Sequence, residues 1–333
     1  MPHFRTARVD EILSERPGFQ RLRTSLGPAY VLTKLTGPVA QDDNVVLNVT
    51  AVDRELGSGG WHVVHWNLSH DEVLIPNERE GHIMKMRYSS LQSDTGSEEE
   101  YEAPLSDDLK GMPVVVCELH SQMPLVVTAA KHIKPELRIG YVMNDSAALP
   151  YVVSDIAYDL ENKNLLDISI SAGQAFGAQQ EAVNVASGLS LLHAEGIDVA
   201  VVAPGVGVVG TGTELGFSSL VCASDLSIAG QLNATPIIAL RFSEADPRDR
   251  HKGTSHHART ILEHSHPSTI VPIPKESRVD DLKDGVEIVD VPDVMQLLEE
   301  NDLQVTSMGR SPQEDPRFFE FAAAAGVYAA SHA

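Results

Sequence analysis

From residue 112 onward the chain repeats one pattern: a short apolar run rich in Val and Ile, a polar turn, then a stretch with one apolar helical stripe. Strands buried on both faces read as near-continuous apolar runs, and parallel neighbours need a crossover between them. The alternation therefore predicts an α/β domain built on a doubly wound, mostly parallel sheet. Expected strands span 113–117, 138–143, 167–171, 198–203, 236–242 and 269–273, with a short one at 304–306. Expected helices span 147–161, 179–194, 217–232, 256–264 and 294–300. Ser311-Pro312-Gln313-Glu314 carries a helix-start signal, so a final helix over 312–329 is expected to dock through Phe318, Phe319 and Phe321.

The first hundred or so residues read differently. Short apolar runs at 7–13, 20–26, 29–35, 44–50 and 61–68 are punctuated by Gly27-Pro28, Gly37-Pro38 and Gly57-Ser58-Gly59-Gly60. This predicts a smaller N-terminal β domain, barrel- or sandwich-like so that its edges are closed. The acid-rich stretch 93–111 lacks apolar periodicity, and the expected domains are 1–105 and 106–333.

Composition removes several function classes. A formal charge of −22 repels nucleic-acid backbones and anionic membrane surfaces, so neither is an expected partner. No apolar run approaches the roughly 20 residues that cross a bilayer, and the first residues lack a hydrophobic signal region, which makes the cytoplasm the expected location. Cys117 and Cys222 each sit in an apolar run, as buried thiols do and disulfide frameworks do not.

The polar residues hardest to explain as packing fall just beyond strand ends, where open α/β sheets bind ligands. Gly205, Gly207, Gly210, Thr211, Gly212 and Thr213 form a glycine-rich turn whose amides are expected to approach a phosphate or carboxylate. The spacing to the next acidic residues, Glu244 and Asp246, speaks against a dinucleotide, and no Gly-Lys-Ser/Thr ending marks a nucleotide loop. Asp246, Arg248, His251, His256 and His257 crowd one loop and a helix start, a set compatible with proton transfer or a divalent metal. Adjacent positions on a helix point apart, so His256 and His257 are not expected to ligate one ion together. His120 and Asp145 follow two other strands as further acid–base candidates, and Arg241 or Arg248 is a candidate anion ligand. His82, Lys85 and Arg87 are expected to share one strand face as an anion cradle.

GHIMKMRYSSLQ at 81–92, MPVVVCELHSQ at 112–122, YVMNDSAALP at 141–150, GVVGTGTELGFS at 207–218, ADPRDRHKGTSHH at 245–257 and TSMGRSPQEDPRFF at 306–319 together resemble the uncharacterised bacterial family DUF3866. The resemblance spans nearly the whole chain and implies no activity, substrate or catalytic residue. The residues themselves lead to an expected enzyme acting on a small anionic metabolite, by hydrolysis or group transfer. A non-catalytic metabolite-binding or scaffold protein is the competing expectation, and a homo-oligomer is compatible with either.

Overall fold

A computed structural model of the 333-residue chain describes residues 1–57, 59–75, 81–101, 105–146, 150–277, 279, 282 and 285–333. The start of the helix expected at 147 and residue 102 of the acidic stretch lie outside the described residues. The chain divides into two compact units, Met1–Gly96 and Ser97–Ala333.

In the first unit, β1 (Phe4–Arg16), β2 (Phe19–Thr24), β3 (Gly27–Leu32), β4 (Asn44–Asn48) and β5 (His62–Asn67) close into a barrel in the order β1-β2-β3-β5-β4. The β3–β5 pair is parallel and the others are antiparallel, with β4 closing on β1. This is a Greek-key closure of the kind that OB-type barrels use to remove sheet edges. Period-2 alternation aims Ala7, Val9, Leu22, Ala29, Val31, Val45, Leu47 and Val64 into one core. Single-turn helices α1 (Thr33–Thr36) and α2 (Thr50–Asp53) follow β3 and β4.

The expected strand carrying His82, Lys85 and Arg87 is not formed. Only β6 (Met84–Lys85) is extended there, pairing with β7 (Ser93–Asp94). Met86 and Tyr88 take positive φ of 49° and 64°, which turns the chain and leaves Lys85 buried with His82 and Arg87 exposed. The three side chains share no strand face.

The second unit carries β8 (Pro113–Cys117), β9 (Ile139–Asn144), β10 (Ile168–Ala172), β11 (Gln180–Ala182), β12 (Val199–Pro204) and β13 (Thr235–Ala239). They form one all-parallel sheet in the order β11-β10-β9-β12-β8-β13. Alternate residues feed opposite cores. Val115, Cys117, Val199, Val201, Ile237 and Ala239 pack with α3 (Met123–Ile133), α4 (Asp155–Asn162), α8 (Val294–Glu300) and α9 (Pro316–His332). Val114, Val116, Ala200, Val202 and Ile238 pack with α5 (Val185–Ala194), α6 (Val221–Gln231) and α7 (His256–Glu263). Burial on both faces is why these strands were legible as continuous apolar runs.

The chain leaves β8 through α3 on one face and passes from β12 to β13 through α6 on the other. The two crossovers diverge around β12 and β8, which makes their C-terminal ends a switch point.

Several boundaries differ from expectation. Residues 180–182 add an edge strand to β10 before α5 begins. The segment 304–306 forms no strand; Ser307 and Arg310 close a tight turn instead. The last helix starts at Pro316 because the Glu314 side chain turns back to the Ser311 amide and hydroxyl. The expected strand at 236–242 ends at Ala239, and Phe242–Ser243 (β14) pairs with Gly253–Thr254 (β15) as the rim of a loop. Residues Val271–Pro274 (β16) pair with Val286–Val289 (β17), while Ile270 bridges to Ile237 beside the main sheet.

Phe318, Phe319 and Phe321 are buried, and Phe321 stacks on Phe242 at 4.4 Å. At the α3–α9 crossing a Cβ on Gly326 would collide with the Val126 carbonyl oxygen, a backbone atom that cannot step aside. Gly326→Ala is therefore expected to destabilise the second unit by about 1–3 kcal/mol, read as a lower urea midpoint with an unchanged slope.

Candidate active site

Three adjacent strands end at one edge of the sheet. The parallel register Ala239↔Cys117 brings β13 and β8 to that edge together, and the next polar residues, Arg241 and Glu118, meet there. Arg241 Nη1 donates to Glu118 Oε1 at 2.7 Å, and both side chains are at most 3% exposed. Burial alone would raise the Glu118 carboxyl, but the Arg241 charge and the bond from His257 outweigh it and hold it below the usual carboxylate range.

The loop after β13 is organised around a second carboxylate. Asp246 accepts from Arg248 Nε and Nη2, each at 2.9 Å, and from Arg310 Nη2 at 3.2 Å, with Arg241 Nη2 3.9 Å away. Arg310 also donates to Asp315, which accepts from Ser243 at 2.6 Å. These bonds keep Asp246 far below the ordinary carboxylate range against the effect of its burial. They also pin the loop to the start of α9. Arg241 and Arg248 thus spend their charges inside the protein.

Pinned this way, the loop presents its histidines as a group. The ring centroids of His251, His256 and His257 lie 5.0, 4.9 and 4.3 Å apart pairwise. The expectation that His256 and His257 diverge is corrected: they open α7, where the chain has just left the extended Ser255, and His251 reaches them from the turn before it. Ser255 caps α7 by accepting from the His257 amide and bonds His251 Nδ1 at 2.8 Å. His257 Nδ1 lies 2.9 Å from Glu118 Oε1. Arg241 Nη1 also lies 3.3 Å from this nitrogen, but the shorter contact is to a carboxylate, which when ionised only accepts, so His257 carries a proton on Nδ1 and turns Nε2 outward. Phe217 stacks on the other side of that ring at 3.8 Å, nearly parallel, and locks its plane.

Burial first, then the Arg241 and Arg248 charges, push His251 down to about 3; burial and the neighbouring His257 and Arg250 charges lower His256. Both imidazoles are neutral near pH 7. Among the described residues, Glu118 Oε2, Arg241 Nη2, His256 Nε2 and Asp315 Oδ1 are buried polar atoms that meet no hydrogen-bond partner. Such orphans cost about 1–3 kcal/mol each, and their gathering in one network makes it the candidate site.

The glycine-rich turn faces this group. A Cβ on Gly210 would lie 3.6 Å from His257 Cε1, and one on Gly212 would lie 3.5 Å from Arg250 Nη1. The turn does not open a helix: Gly210 bridges back to Phe217 and α6 starts only at Val221. Thr211 donates to the Gly216 carbonyl at 3.1 Å and pairs with Thr213 at 2.8 Å, so both hydroxyls close the turn. Gly207 and Gly212 take positive φ, whereas Gly205 is buried at the end of β12. Arg250 is exposed and makes no hydrogen bond or ion pair among the described residues.

His120 and Asp145 lie along the same edge in other roles. His120 donates from Nδ1 to the Pro204 carbonyl at 3.0 Å and accepts at Nε2 from Ser154, at 2.6 Å, whose oxygen also caps α4. Burial lowers it to about 4. Asp145 is exposed and accepts from the Gln174 amide at 3.4 Å, steadying the turn after β10. The residues that complete the histidine group, Glu118, Phe217, Ser255 and Arg250, lie within the segments that carry the family resemblance but in no spacing that marks them as its partners. Glu118 stands two residues before His120 in the run after β8, and only the sheet register shows which of the two reaches the histidines.

A separate cleft of about 380 Å³, lined by Lys275, Asp290, Asp293, Arg317 and Glu320 among others, contains none of these histidines, and its Arg317 is paired with Glu320. Cys117 and Cys222 are free, buried thiols. No helix among the described residues is long and apolar enough to cross a membrane.

A family model described as "Protein of unknown function (DUF3866)" matches residues 28–326. No curated protein and no solved structure matches the chain.

Beside the site, buried Asp225 is pushed up to about 7 by burial, against the bond from Asn144 Nδ2 at 2.8 Å and with Asp145 nearby. The native state keeps a proton that the unfolded chain gives up near pH 4, so this stabilisation is present at low pH and lost as pH rises through 7. Urea midpoints from pH 4 to 8 should fall more steeply for the wild type than for Asp225→Asn, a difference of up to about 4 kcal/mol.

Proposed function

The chain belongs to the DUF3866 family, and from that premise we propose an enzyme that acts on a small anionic metabolite at the C-terminal edge of the parallel sheet, by hydrolysis or group transfer. The observation that carries the reading is the meeting of two unlike groups at one place: oriented imidazoles beside Gly210 and an uncommitted arginine beside Gly212. Imidazole is the side chain suited to proton transfer near neutral pH, a role that the strongly lowered His251 leaves to His256 and His257, and Glu118 fixes the orientation of the His257 ring. The guanidinium suits a phosphate or carboxylate, and the exposed glycine turn lets that anion approach backbone amides without a side chain in the way.

Arg241, Arg248, Arg310 and Asp246 serve as the frame. Their mutual bonds hold the loop in the geometry that the reacting groups need. His120 and Asp145 hold neighbouring turns in the same way.

A thermal-shift panel of inorganic phosphate, pyrophosphate, sugar phosphates, nucleotides and dicarboxylates tests the reading. A ligand at about a hundredfold over its Kd stabilises the native state by about 2.7 kcal/mol, a rise of several degrees in Tm. Arg250→Ala, an exposed substitution, should leave the unliganded Tm unchanged and abolish the shift. His257→Ala should abolish turnover of whichever ligand produces it. A shift that survives Arg250→Ala would place the anion elsewhere, and binding without turnover would make the protein a metabolite binder.

A further inference from the structure

We propose that His251, His256 and His257 bind one divalent transition-metal ion of the zinc type through a ring nitrogen each. One nitrogen from each residue lies within 4.8 Å of the others. Zinc–imidazole bonds of about 2.0–2.1 Å in a tetrahedron set their nitrogens about 3.3 Å apart, so each ring closes by less than about 1 Å on binding. That is a side-chain adjustment, within reach of the His256 ring, which is only half-buried.

Hydrogen bonding selects the ligand atoms. His257 Nδ1 is committed to Glu118 and His251 Nδ1 to Ser255, which leaves Nε2 of both rings as the metal-facing atom. A carboxylate behind a ligating imidazole is the usual outer support of a histidine–metal site, where it fixes the tautomer and makes the ligand more basic. An independent observation comes from the third ring. His256 Nε2 is buried yet meets no hydrogen-bond partner among the described residues, and a buried lone pair of that kind is what a metal satisfies. A merely aromatic cluster explains the Phe217 stacking but accounts for neither the Glu118 bond nor the orphaned nitrogen.

The cations near the rings are paired or exposed: Arg248 bonds Asp246, and Arg250 lies at the surface, where solvent and salt screen it. Arg241, the nearest buried cation, is neutralised by Glu118 at 2.7 Å and approached by Asp246 at 3.9 Å. Three imidazoles with no fourth protein ligand among the described residues match catalytic rather than structural zinc, which keeps a position open for water or substrate oxygen. Imidazole also suits nickel, copper and iron, and the probe ions are chosen accordingly. The inference refines the reactive group of the proposed enzyme, but metal binding is read without any substrate.

The test uses the full chain stripped by chelator dialysis, with Zn²⁺ titrated calorimetrically, bound zinc counted by elemental analysis after desalting, and Co²⁺ followed by its visible absorption. One equivalent of zinc and a four-coordinate cobalt spectrum are expected. Glu118→Gln should weaken zinc about 10–100-fold, His256→Ala should weaken it further, and the exposed His264→Ala should bind as wild type. His257→Ala also strips Glu118 of a partner, so His256→Ala with an unchanged circular-dichroism spectrum is the decisive variant. Wild-type protein that retains no zinc, or a folded His256→Ala that binds like wild type, would overturn the site. Zinc binding in a protein that no anion stabilises would uphold the metal centre while the anionic-substrate reading fell.

Discussion

The geometry of the second unit's functional edge rests on one buried ion pair, Arg241 with Glu118. Parallel strands that end in register deliver the two residues to the same point, and the low-dielectric surroundings make leaving either one alone expensive, on the order of 3–5 kcal/mol. The pair is thus a latch: with β8 and β13 side by side it can close, and closed it fixes where the chain after β13 must go. Glu118 serves twice, since the same oxygen that receives Arg241 also receives His257. The strand register is transmitted to an imidazole through a single carboxylate oxygen.

Around this latch the protein uses charge to hold shape. Asp246 gathers Arg248 and Arg310, Asp315 gathers Arg310 and Ser243, and the loop between β14 and α7 is left no freedom to collapse onto itself. Arg250, by contrast, is released to the surface within the same run of five residues. Burial requires the pairing of Arg241, at 3% exposure, whereas an exposed guanidinium such as Arg250 costs nothing to leave unpaired.

The family match from residue 28 to residue 326 runs from β3 of the barrel into α9, so it spans parts of both compact units and leaves β1 and β2 before it. The barrel removes its edges by closure and the α/β unit covers both faces of its sheet with helices, two different answers to the same problem of unpaired strands.

The alternation of apolar runs determined the class of both units. It placed the five barrel strands and five of the six parallel strands, because burial on one face or two writes itself directly into residue order. It also marked the glycine turn and the histidine loop as neighbours of strand ends. Short and edge elements escaped it: β11 has three residues, and the start of the last helix depended on a glutamate turning back on Ser311. Tertiary structure alone decided that Glu118 rather than His120 meets the histidines, that His256 and His257 converge, and that Arg241 is buried in an ion pair while Arg250 is exposed. Those outcomes depend on register and on which carboxylate reaches which cation first, and distances across the sheet edge leave no trace in the order of residues along the chain.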